Sequence, residues 1–350
     1  MYKEQTQQLA RIVPTVAGQR ATTDMISAVR TLYLDFRIRA TVTLAGGPQT
    51  AMRNAGSLFA LVDQIGITEN GRDRALMDGR MLRVLAEMVA ARTLSATRIS
   101  NYANGAYVLE ESARLPFAWP LGAQPVDTAF MQRVPEAKCQ AFAQFSAIAA
   151  GLTTTLGNAG TATISALSLD VIQGYDDSLG VKPHFIPSYR TVATPIAGTV
   201  TDFPVLLATE RYLRAAIIAQ RATVVGEVDD IITNMALRSD NRDLIGPRLA
   251  DFENLTCAAE QEFGGDFRNH GFDASATATQ PRTNAYLPIN FQRQGRLGNI
   301  LNPLRDINLR LEVDAAVSVT AGAGTSSITT LLCELERVRG LTSEAPPFQA

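Results

Sequence analysis

Residue types that build catalytic and metal sites are scarce in this chain of 350 residues. Its two histidines, His184 and His270, lie far apart, so neither an HxH nor an HExxH metal-binding motif exists. No GxSxG nucleophile elbow and no phosphate-binding P-loop occurs. Tandem β-barrel enzymes of this size often bind a metal through clustered histidines. We therefore predict that the protein is not an enzyme, with no catalytic, cofactor-binding or metal-binding residues and no cofactor.

Cysteine and long apolar runs are also lacking. Cys139, Cys257 and Cys333 are odd in number and widely spaced, which suits neither a full set of disulfides nor a metal site. No run of 18 apolar residues is present, and the N-terminus has no apolar signal core. These features predict a soluble protein, made in the cytoplasm, with reduced and buried cysteines.

An excess of basic charge is missing as well. The net charge is −2 and the isoelectric point about 5.8, whereas proteins that bind nucleic acid phosphates are normally basic. We therefore expect no sequence-specific nucleic acid binding. Lysine occurs only three times, and arginine supplies the rest of the 32 basic residues. Arginine is favoured at protein–protein contacts; codon bias in a GC-rich genome is the alternative explanation.

Strand patterns dominate the sequence. From Thr31 to Leu44 every even position is apolar and the odd positions are mostly polar, the period of a strand with one buried face. The same alternation runs from Ile307 to Val319. Between Thr161 and Ile172 it changes phase near Ala166–Leu167, which predicts a β-bulge. Many short strands between turn residues indicate a sandwich or barrel, with Trp119 in the core.

Helical patterns are limited to two short segments. Asp78 is a candidate N-cap for a helix with Met81, Leu82, Leu85 and Met88 on one side, although Gly79 is an unfavourable first residue. The dipeptide Gly246-Pro247 predicts the start of a second helix through Leu249 and Phe252, because proline is favoured in a first helical turn.

The two halves of the sequence resemble each other. Asn70-Gly71-Arg72-Asp73 is followed by the first short helix, and Asp240-Asn241-Arg242-Asp243 about 170 positions later by the second. Leu115–Trp119 corresponds to Leu287–Phe291, and each half ends in a long strand. Three matches in the same order indicate two copies of one domain.

The predicted organisation has four parts. Residues 1–30 form an N-terminal arm, 31–180 the first sandwich, 181–199 a proline-containing connector, and 200–350 the second sandwich.

Other motifs are weaker. Asp176-Asp177 and Asp229-Asp230 are candidate acid–base or calcium pairs, but adjacent acids usually point apart in solvated turns. Gly322-Ala323-Gly324 lacks the third glycine of a dinucleotide fingerprint and lies between strands, so it is interpreted as a loop. The glycine- and aromatic-rich segment around His270 is interpreted as a long loop at an interface or the surface.

The order of these elements resembles one protein family. An alternating strand at Leu32–Leu44, a strand leading to Asn70-Gly71, a short helix at Met81–Met88, the Leu115-Pro116-Phe117 strand and a long terminal strand recur after residue 200. This pattern is similar to the double jelly-roll major capsid proteins of tailless, often lipid-containing, icosahedral bacteriophages. The resemblance covers nearly the whole chain but rests on order, without an invariant motif.

That resemblance implies an all-β fold of two tandem eight-stranded jelly-roll sandwiches with a few short helices. It implies a structural major coat protein of the virion capsid, made in the host cytoplasm, that forms homotrimers as pseudo-hexameric capsomers of an icosahedral shell. Its implied partners are neighbouring capsomers, minor capsid or vertex proteins, and an internal membrane or the genome at the inner face.

Two other classes of protein remain as alternatives. A double jelly-roll glycan-binding protein or glycan-acting enzyme requires clustered aromatics and acids, yet the chain has one tryptophan and 7% aromatic residues. A coat protein of the mixed α+β tailed-phage type requires a long spine helix, which the sequence does not predict.

Overall fold

The chain is built almost entirely of β-strands. The computed structural model describes residues 4–14, 17–45, 58–90, 105–119, 128–131, 137–145, 161–177, 185–207, 211–222, 226–228, 230–240, 242–264, 285–291, 301–302, 308–319 and 325–337. Within these ranges lie seventeen strands, two α-helices and a 3₁₀ helix at Leu58–Leu61.

The first eight strands form a complete jelly roll. Strands β1 to β8 are Glu4–Gln8, Arg20–Asp24, Arg30–Ala45, Val62–Glu69, Arg72–Met77, Gly105–Pro116, Cys139–Phe145 and Thr161–Asp176. One sheet has the order β1-β8-β3-β6, and the other β2-β7-β4-β5. Helix α1, Gly79–Ala90, lies between β5 and β6. Antiparallel strands in the sheet orders 1-8-3-6 and 2-7-4-5 make a double-sheet sandwich, which is a jelly roll.

The second half has the same topology. Strands β9 to β17 are Phe185–Ile196, Val200–Leu206, Tyr212–Ala222, Gly226–Glu227, Ile232–Ser239, Arg242–Asp251, Tyr286–Asn290, Arg310–Ala315 and Ser326–Arg337. Apart from the two-residue β12, which adds to β11, these strands also make sheets of order 1-8-3-6 (β9-β17-β11-β15) and 2-7-4-5 (β10-β16-β13-β14). Helix α2, Phe252–Phe263, again follows the fifth strand.

The two jelly rolls share one continuous sheet. Strand β5 of the first runs parallel to β9 of the second, with Ala75 paired to Tyr189, and this joins one sheet from each half. The Thr191 hydroxyl also donates a hydrogen bond of 3.0 Å to the carbonyl of Leu76. The halves are therefore two jelly rolls in tandem with a defined contact between them.

Two predicted alternating strands are present. On β3 the even residues from Leu32 to Ala40 are buried, while Arg37 and Arg39 are exposed, as predicted. At β16 and the residue before it, the predicted alternation holds from Leu309 to Ala315 but not beyond, because Val317 is only partly buried and Val319 is exposed. Ile307, the first residue of that prediction, lies outside the described residues. The bulge predicted in β8 is confirmed: the pairing with β3 shifts between Ala166 and Ile164.

The hairpins β4–β5 and β13–β14 confirm the internal repeat. Ile67 pairs with Ala75 and Thr68 with Asp73; in the second hairpin Leu237 pairs with Ile245 and Arg238 with Asp243. Both hairpins thus carry the same one-residue bulge at the same position.

The predicted equivalence of Leu115–Trp119 with Leu287–Phe291 is wrong by two residues. The amide of Phe117 bonds to the Leu32 carbonyl, and the amide of Phe291 bonds to the Arg214 carbonyl. Leu32 and Arg214 are the extra residues at matching irregularities of β3 and β11. Phe117 therefore corresponds to Phe291, and a shift of two preserves which face is buried.

Helix α1 is confirmed, and its first residue is explained. The Asp78 carboxylate accepts a hydrogen bond of 2.9 Å from the Met81 amide, as an N-cap does. A Cβ on Gly79 would lie 2.2 Å from the Phe59 carbonyl oxygen, so only glycine fits this close approach. The helix is buried on all sides, and its Arg83 forms an ion pair of 2.9 Å with Glu111.

The second predicted helix begins in the wrong place. Gly246 and Pro247 lie within strand β14, and α2 begins at Phe252 after the N-cap Asp251. The helix ends at Gly264, which adopts the left-handed conformation typical of a glycine C-cap. The proline signal was therefore wrong, and the start of this helix is marked by an aspartate N-cap, as in the first helix.

Two predicted boundaries also need correction. Residues 1–30, predicted as an arm, contribute β1 and β2, the first two strands of the first jelly roll. The predicted connector, 181–199, contains β9, which pairs with β17 along its whole length from Phe185 to Ile196. Both segments therefore belong to the sandwiches.

Candidate assembly surfaces

A buried arginine holds the junction between the two jelly rolls. Arg214, on β11 of the second, is 1% exposed and lies 4.2 Å from the ring centre of Trp119 in the first. Its guanidinium donates hydrogen bonds of 3.1 Å to the Phe117 carbonyl and 3.2 Å to the Thr128 hydroxyl. These contacts fix the orientation of one sandwich against the other, since a guanidinium has a rigid planar geometry.

Burial perturbs the titratable groups of this junction. It lowers the pKa of Arg214 to about 10, because the charged form loses its solvation. The same loss of solvation raises the pKa of Tyr189 and of Cys333, whose neutral forms are favoured. The Tyr189 hydroxyl donates to the carbonyl of Pro116 and accepts from the Trp119 indole at 3.5 Å. The pKa changes follow from burial in a structural contact and indicate no catalytic chemistry.

An ion pair between Arg221 and Asp78 closes the other side of the junction. Arg221 lies on β11 of the second jelly roll, and Asp78 caps helix α1 of the first, with 2.8 Å between Nη2 and Oδ2. Burial opposes ionisation of Asp78, but the charge and hydrogen bond of Arg221, the Met81 amide and the charge of Arg80 together outweigh it and lower the pKa of the carboxyl group. A helix cap thereby also binds the neighbouring domain.

The outward side of the sheet β1-β8-β3-β6, which we call the open face, is polar. Arg114 binds Asp35 through two hydrogen bonds of 2.7 and 2.8 Å, and Arg39 Nε lies 2.6 Å from Glu110. Arg11 Nε lies 2.5 Å from Asp170 on β8. Exposed pairs of this kind each stabilise a fold by about 0–1 kcal/mol. The open face is therefore ordered by charge but contributes little to folding.

A stacked aromatic lies at one end of the open face. The Tyr33 ring covers Gly174, where an added Cβ would lie 2.2 Å from the ring. The Arg114 guanidinium stacks on the other side of the ring at 3.6 Å, and the Tyr33 hydroxyl donates to Glu4 at 2.7 Å. Burial and this bond to Glu4 raise the pKa of Tyr33 to about 12.

Those residues considered for chemistry that the structure describes do not form a site. Asp176 is buried and binds Arg30 at 2.5 Å, whereas Asp177 accepts from Gln5 at 2.6 Å on the surface, so this acidic pair points apart. Trp119, predicted as core, is 1% exposed and unavailable to stack on a sugar. Among the residues that the structure describes, no group of metal-ligating side chains occurs, and no helix is long and apolar enough to cross a membrane.

Several predicted positions are buried, exposed or outside the described ranges. Cys139 and Cys333 are buried as predicted, but the prediction for Cys257 is wrong, because it lies exposed on α2. His184, His270, Asp229 and the segment Gly322–Gly324 lie outside the described residues.

Solved structures match this chain over almost its full length. The crystal structure of the major capsid protein of Sulfolobus turreted icosahedral virus superposes with a TM-score of 0.61 at 10% identity, covering 95% of this chain and 96% of that one. The major capsid protein P2 of bacteriophage PM2 gives 0.56 at 12% identity, with 97% and 100% covered. The Faustovirus major capsid protein gives 0.55 at 8%, with 96% and 90% covered.

The chain has the double jelly-roll fold of viral major capsid proteins. The predicted all-β double jelly roll is thus confirmed. No family model and no curated protein matches the sequence. At these identities the likeness lies in the fold alone, so the strand order is shared although few residues are.

Proposed function

We propose that this protein is the structural major coat protein of an icosahedral virion. The observation that carries the proposal is the full-length likeness to viral major capsid proteins, with both jelly rolls matched and little of either chain left over. A fold alone does not determine function. The proposal gains support from the junction around Arg214, which presents two sandwiches as one rigid block for packing into a shell.

Three copies of this block form one capsomer. Each chain supplies two jelly rolls of equal topology, so a three-fold ring contains six similar units and packs like a hexamer. Neighbouring capsomers and minor capsid or vertex proteins surround it, and an internal membrane or the genome lies beneath. The described part of the chain does not show the cluster of acids and free aromatic side chains that the glycan-binding alternative requires.

The mass of the purified protein tests this proposal. We expect light scattering at micromolar concentration to give the mass of a trimer, and electron microscopy to show six-cornered particles or closed shells. A protein that stays monomeric under all conditions contradicts the coat function.

Replacement of the histidines tests the enzyme alternative. We expect His184→Ala and His270→Ala to leave folding and assembly unchanged, since no metal motif includes them. Stoichiometric zinc in the purified protein, or an activity lost in either variant, would favour an enzyme instead.

A further inference from the structure

The contact between β5 and β9 has a counterpart elsewhere in the fold, a pair of corresponding strands that are both sheet edges in the described part of the chain. Inside the chain, β5 (fifth strand of the first jelly roll) lies beside β9 (first strand of the second). The corresponding strands β14 and β1 are both edges of four-stranded sheets. Strand β1 has the sequence EQTQQ, four of its five residues are exposed, and it lacks the lysine or proline that commonly protects an edge.

Strand pairing gives the residue that corresponds to each junction residue. Ala75 corresponds to Ile245, because each pairs with the same position of the preceding strand. Gly174 and Cys333 pair with the residues that follow the matching irregularities of β3 and β11. Their partners on the first strands are Thr6 and Tyr189, which therefore correspond. The counterpart of the Ala75–Tyr189 pair is thus Ile245 with Thr6.

The ion pair of the junction has a counterpart too. In the pairing of β3 with β8 and of β11 with β17, Arg39 occupies the position of Arg221. Asp251 caps α2 as Asp78 caps α1, and its carboxylate likewise accepts the third amide of its helix, at 3.0 Å. Both Arg39 and Asp251 are exposed. The counterpart of the Arg221–Asp78 pair is therefore Arg39 with Asp251.

The open face of the first jelly roll is polar, whereas the corresponding face of the second jelly roll, which the first one covers, is apolar. On β11 the outward residues Ala215, Ile217 and Ala219 are buried under the first jelly roll, whereas Tyr33, Asp35 and Arg37 stand at their positions on β3. A surface that stays in water until assembly must be about as polar as ordinary protein surface. One exposed apolar side chain, Val108 on β6, also lies on the open face, opposite Thr41 of β3.

We propose that β14 and α2 of one copy pack on β1 and the open face of a second copy, repeating between chains the contact that β5 and α1 make with β9 and β11. The inference deepens the proposed coat function by naming the surface through which copies of the chain bind. The contact joins two different surfaces, so it is heterologous, and such contacts close into a ring when the rotation allows. Helix α2 carries Glu260 and Glu262 and no basic residue, which complements Arg37 on the open face. Arg39, whose Nε lies 2.6 Å from Glu110 of its own chain, bridges Glu110 and Asp251 in the proposed contact.

A designed disulfide tests the strand contact. Paired residues on neighbouring strands have Cα atoms about 5 Å apart, within the range of a disulfide. In a Cys257→Ser background, Thr6→Cys together with Ile245→Cys should give covalent dimers and trimers, and nothing larger, after mild oxidation on a non-reducing gel. The single variants and the pair Thr6→Cys with Val108→Cys, which places the second thiol on the β6 edge, should stay mainly uncrosslinked.

The outcomes separate this contact from the coat function. A trimer by light scattering that does not crosslink through Thr6→Cys with Ile245→Cys overturns the contact but leaves the coat function standing. Crosslinking of Thr6→Cys alone indicates that β1 pairs with itself and also overturns it. A protein that is monomeric throughout contradicts the coat function, and the contact with it.

A charge variant tests the helix contact without disturbing the cap. Asp251→Asn keeps an N-cap of similar strength but removes the charge. We expect the dissociation constant of the trimer to rise roughly tenfold, the effect of losing about 1.4 kcal/mol. Asp24→Asn, which removes an exposed carboxylate paired to Lys138, is the matched control and should leave it unchanged. An equal effect of both variants would argue for general charge and against this pair.

Discussion

A carboxylate at Phe36 tests whether alternation on β3 fixes the core of the first jelly roll. Phe36 is fully buried between the two sheets. Removal of a buried phenylalanine ring costs about 3–5 kcal/mol, and an unpaired buried carboxylate costs several kcal/mol more. Since a domain is stable by only about 5–15 kcal/mol, we expect Phe36→Asp to unfold the first jelly roll. Its loss uncovers Ile217 and its apolar neighbours on β11, so the whole chain should aggregate.

The adjacent residue supplies the control. Arg37→Asp introduces the same side chain one position along, on the exposed side of the same strand, and should change the free energy of unfolding by no more than about 1 kcal/mol. Thermal unfolding followed by circular dichroism, with soluble yield, measures both variants. Equal melting temperatures for Phe36→Asp and Arg37→Asp would refute the assignment of the two faces, and with it the registers on which the repeat depends.

Two further perturbations follow from the packing. Gly66→Ala should destabilise the protein by about 1–3 kcal/mol or more in urea unfolding, because the new Cβ would lie 1.8 Å from the Ala75 carbonyl oxygen. The control Gly198→Ala should be neutral, because its new Cβ meets no atom within 4 Å. Stability should fall as the pH rises above 9.0, the ordinary pKa of a thiol, because the raised pKa values of Cys333 and Tyr189 let the unfolded chain release these protons first. The lowered pKa of Arg214 acts in the opposite direction only from about pH 10 upward. Urea midpoints between about pH 8 and pH 10 should therefore decline, and a flat curve, or one unaltered by Cys333→Ala, would contradict this account.

A strand with one buried face and one solvent-exposed face could be predicted from the sequence, whereas a strand buried on both faces or a short polar edge strand could not. Strand β3 was readable because its two faces meet different surroundings. Strand β11 is buried on both faces, so its run from Leu213 to Ala219 carries no alternation to read. Strands β1 and β2 were not predicted for the opposite reason: they are short, polar edge strands with little apolar pattern, so their sequence resembles that of an extended arm.

Proline misled the prediction twice. Pro187 and Pro195 suggested a connector, yet both lie in β9, a strand paired along its whole length with β17 on one side but with β5 at Ala75 alone on the other. Proline is tolerated where a strand has an open side, because no ladder hydrogen bond is lost there. Pro247 suggested a helix start but lies in the edge strand β14, among residues that skip the pairing with β13, so no ladder hydrogen bond is lost there either.

The junction was the part of the candidate site that sequence could not reveal. Arginine is almost never fully buried unless its charge is compensated, and nothing around Arg214 in sequence marks it as different from the other arginines. Its partners, Phe117, Trp119 and Thr128, all belong to the other jelly roll. That arginines form contacts between chains stays a prediction, whereas Arg214 does form contacts between the two jelly rolls.

The two hairpins show how a repeated domain adapts to different neighbours. Gly66 on β4 corresponds to Ala236 on β13, although both strands share one register with their partners. Beside Gly66 strand β5 continues in close contact, so a side chain does not fit. Beside Ala236 the pairing skips from Leu237–Ile245 to Met235–Ala250, so the Gly246-Pro247 segment is not paired with β13. Strand β5 keeps its pairing with β4 from Ala75 to Met77, whereas β14 leaves its pairing with β13 just beyond Ile245. A contact between copies through β14 would therefore be confined to its first residues, which is where the Thr6–Ile245 crosslink is designed.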